Sequence, residues 1–427
     1  MTAVLAVALA ALSSVAVDAT RHRGTETRTG TDPERPDGGL LSIERVSVTS
    51  QEREVPRGIE GYGVRISSSG RFVAFSSQSP RLVTDDTNGW RDVFVRDRLA
   101  GTTTRASVSS TSRQSNDAEA HAIDLSANGR RVLFTSSATN LVPQRDRPTE
   151  IFVHNSRTGR TSGIRMRPAP AYGTFVDGMS ADGRFLAYVG YPREDYEGAP
   201  RAYRYDRSRH VSRIVSRTND DRVVSVEDFS ENAISDDGRF VAFDTGSDGI
   251  LVRDVRRGHT VTASLNLDGR PRRGGQPSVS QHGRFTAFTS FSRLVRGDTN
   301  RQFDVYVYDR ETRKAERISV ASGGRQGNGD SYVPALSAHG RFVAFTSFAS
   351  NLVPGDRNGE PDVFLHDRRT GITRCLSRGL DGIPRGAVYD APGISGDGDD
   401  VAFISRARLV RDDSNRRFDA FVADLSP

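Results

Sequence analysis

The chain has 427 residues, 35% hydrophobic and 27% charged, with 60 basic against 54 acidic side chains and a formal charge of +6. That balance excludes an intrinsically disordered chain and is enough for one large core or two ordinary ones. The cations are arginine with the single exception of Lys314, and they alternate with aspartate instead of forming a basic stripe, a pattern of solvated, ion-paired faces that argues against nucleic acid as a partner.

Residues 1–19, "MTAVLAVALAALSSVAVDA", are an apolar run followed by small residues, which predicts a cleaved secretory signal peptide. The run is too short for a membrane span, and nothing downstream resembles a second one. The mature protein is therefore expected to be secreted or held in the periplasm or cell envelope. Residues 20–40, rich in Thr, Arg, Gly and Pro, read as a flexible linker. Cys375 is the only cysteine, so no internal disulfide can form and core packing must hold the fold. Cys375 is expected at a strand position where Ala106 and Ile318 stand in other copies, as a small buried hydrophobe rather than a reactive thiol.

From residue 41 onward the chain repeats itself. A turn S-x-x-G followed by a short strand recurs in "SSSGRFVAF", "SANGRRVLF", "SADGRFLAY", "SDDGRFVAF", "SQHGRFTAF", "SAHGRFVAF" and "SGDGDDVAF", with glycines at 70, 129, 183, 238, 283, 340 and 398. Each copy has an apolar segment before the turn, then "RFVAF", then a third strand such as "DVFVRD", then a fourth such as "TTRASV". Four short antiparallel strands per repeat make one propeller blade, so an all-β, seven-bladed β-propeller of four-stranded antiparallel blades is predicted over residues 41–427. The seventh copy stops after its third strand, while "IERVSV" at 43–48 nearly duplicates "AERISV" at 315–320. The N-terminal strand should therefore complete the last blade and remove two exposed sheet edges. The competing arrangement is six blades plus an unrelated flap.

The phrase S-x-D/N/H-G-R-F-V-A-F, repeated with D-V-F-V-x-D-R-x-T-G, resembles the propeller repeats of the TolB-type, WD-like (PD40-type) family of exported bacterial proteins. The resemblance runs from about residue 41 to the end. It implies the fold and not a function, because propellers host binding and catalysis alike. The family's namesake carries an α/β domain before its propeller, where only the linker stands here, which puts a role in the same envelope complex in doubt. Prolyl-oligopeptidase relatives share such blades but need a hydrolase domain, and no G-x-S-x-G elbow occurs, "GISGDG" at 393–398 lacking the second glycine.

Propeller geometry separates two faces. On the tight-turn face, Arg71, Arg184, Arg239, Arg284 and Arg341 begin second strands, and Asp97, Asp206, Asp254, Asp309 and Asp367 end third strands, so cross-strand ion pairs are expected. Blade two has Arg130 with Asn155, and blade seven has Asp399 with Asp424. The opposite face carries the long irregular loops, such as "SSTSRQSNDAEAHA" and "RGLDGIPRGAVYDAP", and long loops on a rigid scaffold are the usual carriers of binding. Tyr62, Asp117, His121, Asp330, Tyr332, Tyr389 and Asp390 lie just before innermost strands and are the candidate ligand or partner surface. Each also suits a bland role in satisfying loop backbone.

Four loops on the same face share a D-x-N-x-x-x-D spacing: Asp86, Asn88 and Asp92; Asp298, Asn300 and Asp304; Asp356, Asn358 and Asp362; and Asp413, Asn415 and Asp419. Oxygen ligands at alternating loop positions suit calcium. The loops lack a terminal bidentate Glu, and Asp and Asn also build turns by bonding to nearby amides with no ion present. Calcium is thus one reading and turn formation the other. No cofactor is otherwise implied, and the histidines form neither a metal nor a catalytic constellation. Three functions follow. The favoured one is a non-catalytic, exported, monomeric propeller binding a protein or cell-envelope polymer through its long-loop face. The alternative is a carbohydrate-active lyase or glycosidase using carboxylates at the central opening. The third is a calcium-stabilised structural module.

Overall fold

The computed structural model describes residues 42–59, 63–116, 119–143, 150–166, 175–191, 199–227, 233–386, 388 and 390–425. The predicted signal peptide and linker lie outside them, as do Tyr62, Asp117 and Tyr389. The described residues are all-β, with seven antiparallel sheets of four strands arranged as the blades of a ring. Blade one runs outward through Arg65–Ile66, Phe72–Ser77, Asp92–Asp97 and Thr102–Arg105.

The middle strands are buried along nearly their whole length, "FVAFSS" and "DVFVRD" each carrying five buried residues out of six. Period-two alternation vanishes there because both sheet faces pack against other blades. It survives in the outermost strand of blade one, "TTTR", which alternates exposed and buried. Seven apolar clusters result, one between each pair of neighbouring blades. The cluster between blades five and six, for instance, joins Val305, Val307 and Ile318 to Val343, Phe345 and Phe364. Within blades, aromatic rings of strands two and three stack, as Phe75 with Phe94 at 6.1 Å and Phe345 with Phe364 at 5.8 Å.

The S-x-x-G turn recurs for a local reason. The serine Oγ accepts the N–H five residues on, as in Phe72 to Ser67 at 3.0 Å and Phe342 to Ser337 at 3.1 Å. The glycine takes a positive φ, +67° at Gly340, where an added Cβ would lie 2.4 Å from the Phe285 ring of the preceding blade. The second residues of these turns are linked to one another around the axis. Ser68 N–H bonds to Ala127 carbonyl and Ala127 to Ala181, both at 3.0 Å; Ala338 bonds to Gly396 at 2.9 Å and Gly396 to Ser68 at 2.8 Å.

The N-terminal strand Ser42–Arg45 does close the last blade. It pairs with Asp419–Asp424 in the register Ser42 to Asp424 through Arg45 to Phe421, and Ile59 N–H bonds to Phe418 carbonyl at 2.7 Å. The expected Arg to Asp pairs form in five blades with two guanidinium nitrogens engaged, for example Arg341 to Asp367 at 3.0 and 2.7 Å. Each of these arginines also lies over the adjacent phenylalanine, Arg341 at 4.4 Å from the Phe342 ring centre.

One expectation is corrected by register. Cys375 pairs with Phe364, as Arg105 pairs with Phe94 and Arg317 with Tyr306. It therefore stands in place of those arginines, not of Ala106 and Ile318, whose counterpart is Leu376. The anchor that decides this is a serine two residues on, Ser107, Ser319 and Ser377, each bonded to the aspartate that opens its blade's third strand. Cys375 is 1% exposed and belongs to an apolar cluster, as expected of it.

Candidate functional site

Three groups of side chains on different blades include the described residues of the sequence-predicted surface. On blades five and six, Phe291, Phe303 and Tyr332 form an aromatic run, with ring centres 5.4 and 5.3 Å apart. Phe291 is 55% exposed, and Phe348 beside them is 47% exposed. The backbone holds this patch rigidly. Asp330 Oδ1 accepts the Phe303 N–H at 2.8 Å, Asp330 Oδ2 accepts the Tyr332 hydroxyl at 3.0 Å, and the Asp330 carbonyl accepts the Phe348 N–H at 2.9 Å. Burial and the Asp330 carboxylate raise the Tyr332 hydroxyl above the usual tyrosine range, so it stays a donor. The innermost strands of blades five and six carry bulges here, and Gln276 and Val333 take φ of +53° and +50°. A β-branched residue in that region is strained. The Gln276 side chain holds Val333 in place by accepting its N–H at 3.1 Å, and such held strain gathers at functional positions.

On blades one and two, His121 Nε2 lies 3.5 Å from Glu119 Oε2, and Arg91 Nη1 lies 2.7 Å from the same oxygen and 3.4 Å from the imidazole. Burial and then the Arg91 charge lower the His121 pKa against the opposing pull of Glu119, which keeps the ring neutral at physiological pH. At the innermost strands of blades seven and two, Asp390 accepts the Gly63 N–H and the Ala391 N–H, and Asp124 accepts Leu125 N–H and Met179 N–H at 2.7 Å each. Burial raises both carboxyl groups, Asp124 to about 6, with the Arg65 charge opposing it for each. These two acids are turned toward backbone amides.

Of the predicted surface residues, Asp330 and Tyr332 thus meet, while His121 and Asp390 stand in separate groups. Sequence reading missed Phe291, Phe303, Phe348, Arg91 and Glu119. A signal existed for two of these, because Phe291 and Phe348 follow the "TS" ending of their second strands, where other copies carry Gln78, Ser137 or Arg406.

The four D-x-N-x-x-x-D loops also form compact polar sites. In blade one Asp92 is fully buried; its Oδ1 accepts Ser107 at 2.5 Å and Ser115 at 3.0 Å, and its Oδ2 accepts the Asn88 amide at 3.2 Å. Arg105 Nη1 lies 3.5 Å from Asp86 and 3.6 Å from Asp92. Blade five repeats this with Arg317 3.7 Å from both Asp298 and Asp304, and with Tyr306 bonded to Asp298 at 2.5 Å. In these two blades an arginine supplies positive charge between the acids. In blade six that place belongs to Cys375, and Asp362 is held by Ser377, by Asn358 at 2.7 Å and by the Gly386 N–H at 2.8 Å. In blade seven Asp419 accepts Ser47 at 2.6 Å and Asn415 at 2.9 Å. The asparagine oxygens form turns, Asn88, Asn300, Asn358 and Asn415 each accepting the N–H two residues on at 3.0, 3.1, 2.8 and 2.7 Å. Burial is the largest cause that raises Asp86, Asp304, Asp356 and Asp419 to about 6. His154 and His366, also buried, bond to Thr161 and Thr373 at 2.9 and 2.8 Å.

This geometry places the protein among seven-bladed β-propellers that expose an aromatic and charged loop face. No family model matches the sequence, and no curated protein matches it. Solved structures match in fold. An oligogalacturonate lyase in complex with manganese shares 12% identity over 94% of this chain and 96% of its own, with a TM-score of 0.52. The oligogalacturonate lyase of Vibrio parahaemolyticus shares 13% over 93% and 96%, also at 0.52. TolB from Acinetobacter baumannii shares 16% identity over 65% of this chain, at a TM-score of 0.40, and the match spans 60% of that protein. Likeness at this level concerns the propeller itself. Among the described residues no helix is long and apolar enough to cross a membrane.

Proposed function

We propose that this protein is an exported, non-catalytic propeller that binds a protein or cell-envelope polymer through its long-loop face. The observation that carries the reading is the aromatic run Phe291, Phe303 and Tyr332, partly buried and tied to blade ends, with Phe291 and nearby Phe348 about half-exposed. Flat rings fixed in place stack on sugar rings or receive apolar side chains with little ordering cost. Purified peptidoglycan sacculi and a saccharide array are the first probes. The wild-type chain is expected to sediment with, or bind, at least one of them, and the Phe291→Ala/Phe348→Ala double variant to bind at least about tenfold more weakly. Binding that ignores the double substitution, in a variant that melts like the wild type, refutes the aromatic patch as the site.

The second reading, a carbohydrate-active enzyme, is favoured by the Arg91, Glu119 and His121 group. A neutral imidazole, a carboxylate and a guanidinium within 3.5 Å of one another are the parts needed to move a proton beside an anionic sugar. The two oligogalacturonate lyases that match in fold suggest the substrate to try. Accumulation of an unsaturated product from oligogalacturonate, abolished by His121→Ala, would displace the binding reading in favour of this one.

A further inference from the structure

We propose that the ring closure contains a divalent-cation site of calcium type, built from Glu54, Asp413 and Asp419. One carboxylate oxygen from each lies within 4.8 Å of the others. Glu54 belongs to the N-terminal segment that completes the last blade, Asp413 to the loop before that blade's strand Asp419–Asp424, and Asp419 opens that strand. An ion held by all three would therefore bridge the two ends of the chain.

Two observations support the site, and the second sets this cluster apart from the other acidic loops. The first is an oxygen without a donor. Asp413 is 3% exposed, and its Oδ2 has no hydrogen-bond partner among the described residues, a condition shared by oxygens of Asp86 in blade one and Asp304 in blade five. A buried carboxylate oxygen left without a partner carries its full desolvation cost, which a cation in contact with it would offset.

The second is a change of residue type at one register position. Glu54 bridges Val48 as Gln114 bridges Val108 and Gln326 bridges Val320. In blades one and five the arginine donates to that glutamine, at 2.9 and 2.7 Å, so one guanidinium faces two buried aspartates and a neutral amide. In blade seven the amide is replaced by a third carboxylate while the cation is still a single arginine. Arg45 Nη1 reaches Glu54 at 2.6 Å and stays 3.8 Å from Asp413. Its Nη2 bonds to Asp412 at 2.9 Å. An ion seated between Glu54 and Asp413 displaces Nη1 and leaves the guanidinium paired with Asp412. The Ser414 and Asn415 N–H groups, at 2.9 and 3.1 Å from Glu54 Oε1, and Ser47 on Asp419 orient the ligands.

All donors are oxygen, which suits a hard cation, and water would complete the coordination that calcium requires. Blade six lacks the arginine, but it has proline, Pro384, at the Glu54 position and so only two carboxylates.

The test is thermal unfolding of the full chain in calcium and in a chelator, with the stoichiometry read by calorimetric titration of calcium. The wild type is expected to bind one ion and to melt about 3 °C or more higher when calcium stands a hundredfold above its Kd. Glu54→Gln, which restores the residue of blades one and five, should melt in chelator no lower than the wild type and lose the calcium shift. Asp413→Asn should do the same, and Asp298→Asn in blade five should keep it. Equal melting of the wild type in calcium and chelator would overturn the site, and so would a shift that survives Glu54→Gln or disappears in Asp298→Asn.

Discussion

Blade seven breaks the ion-pair rule of the tight-turn face, and repairing it should stabilise the protein. Five blades place an arginine directly before the second strand and an aspartate at the end of the third, with Nε and Nη2 each bonded to one carboxylate oxygen at 2.5 to 3.2 Å. At the same position blade seven carries Asp399, directly before the strand Asp400–Ser405 and facing Asp424. Burial raises the Asp399 pKa first, and the charges of Asp397 and Asp424 add to it. Asp399→Arg replaces a like-charge contact by a two-pronged pair. A solvent-screened pair of this kind contributes about 0.5 to 1 kcal/mol, and relief of the repulsion adds a similar amount. The arginine gains no ring to stack on, because Asp400 stands where Phe72 or Phe342 stands elsewhere and is itself bonded to Arg98 at 2.7 Å. The sum is about 1 to 2 kcal/mol, or roughly 2 °C in Tm for a chain of this size. Scanning calorimetry at low and high salt measures it, with Asp399→Asn reporting the repulsion alone. The order expected at low salt is Arg above Asn above wild type, converging as salt rises. An arginine variant no more stable than the asparagine one would refute the pairing argument.

Two further outcomes follow from the buried acids. Ser107→Ala removes a charged hydrogen bond from Asp92 and the acceptor of the Val93 N–H at 3.0 Å. It should cost about 2 to 3 kcal/mol, visible as a lowered Tm, and in a double-mutant cycle the loss should shrink when Asp92 is also changed to Asn. Asp244, raised to about 6 chiefly by burial and also by Glu227, keeps its proton longer in the folded state than its unfolded value near 3.8 allows. Stability is then lost as pH rises from about 4 through 6, by about 2 to 3 kcal/mol from this group. Asp244→Asn, which keeps an oxygen for the Gly246 N–H at 2.8 Å, should flatten that part of the Tm profile against pH; an unchanged slope would count against it.

The sequence by itself determined the fold. Seven S-x-x-G turns set the blade count, the third strands set the pairing, and the likeness of "IERVSV" to "AERISV" placed the N-terminal strand in the last blade. These features are local and repeated, so each copy tests the others. The five arginine to aspartate pairs were legible for the same reason. What only the tertiary structure decided concerns single copies and contacts between blades. The aromatic patch joins Phe291 and Phe303 of one blade to Tyr332 of the next across 41 and 29 residues of chain, a juxtaposition that no spacing rule encodes. The place of Cys375 needed the strand register, because a slip of one residue exchanges the two faces of a strand and both Cys375 and Leu376 are buried. The acidic loops look alike in sequence, yet their charge is settled by residues far along the chain: Arg105 or Arg317 from the outer strand, a cysteine in blade six, and Glu54 from the opposite end of the chain in blade seven. A carboxylate's partner is chosen by distance in space, and closing the ring brings residues 54 and 413 together.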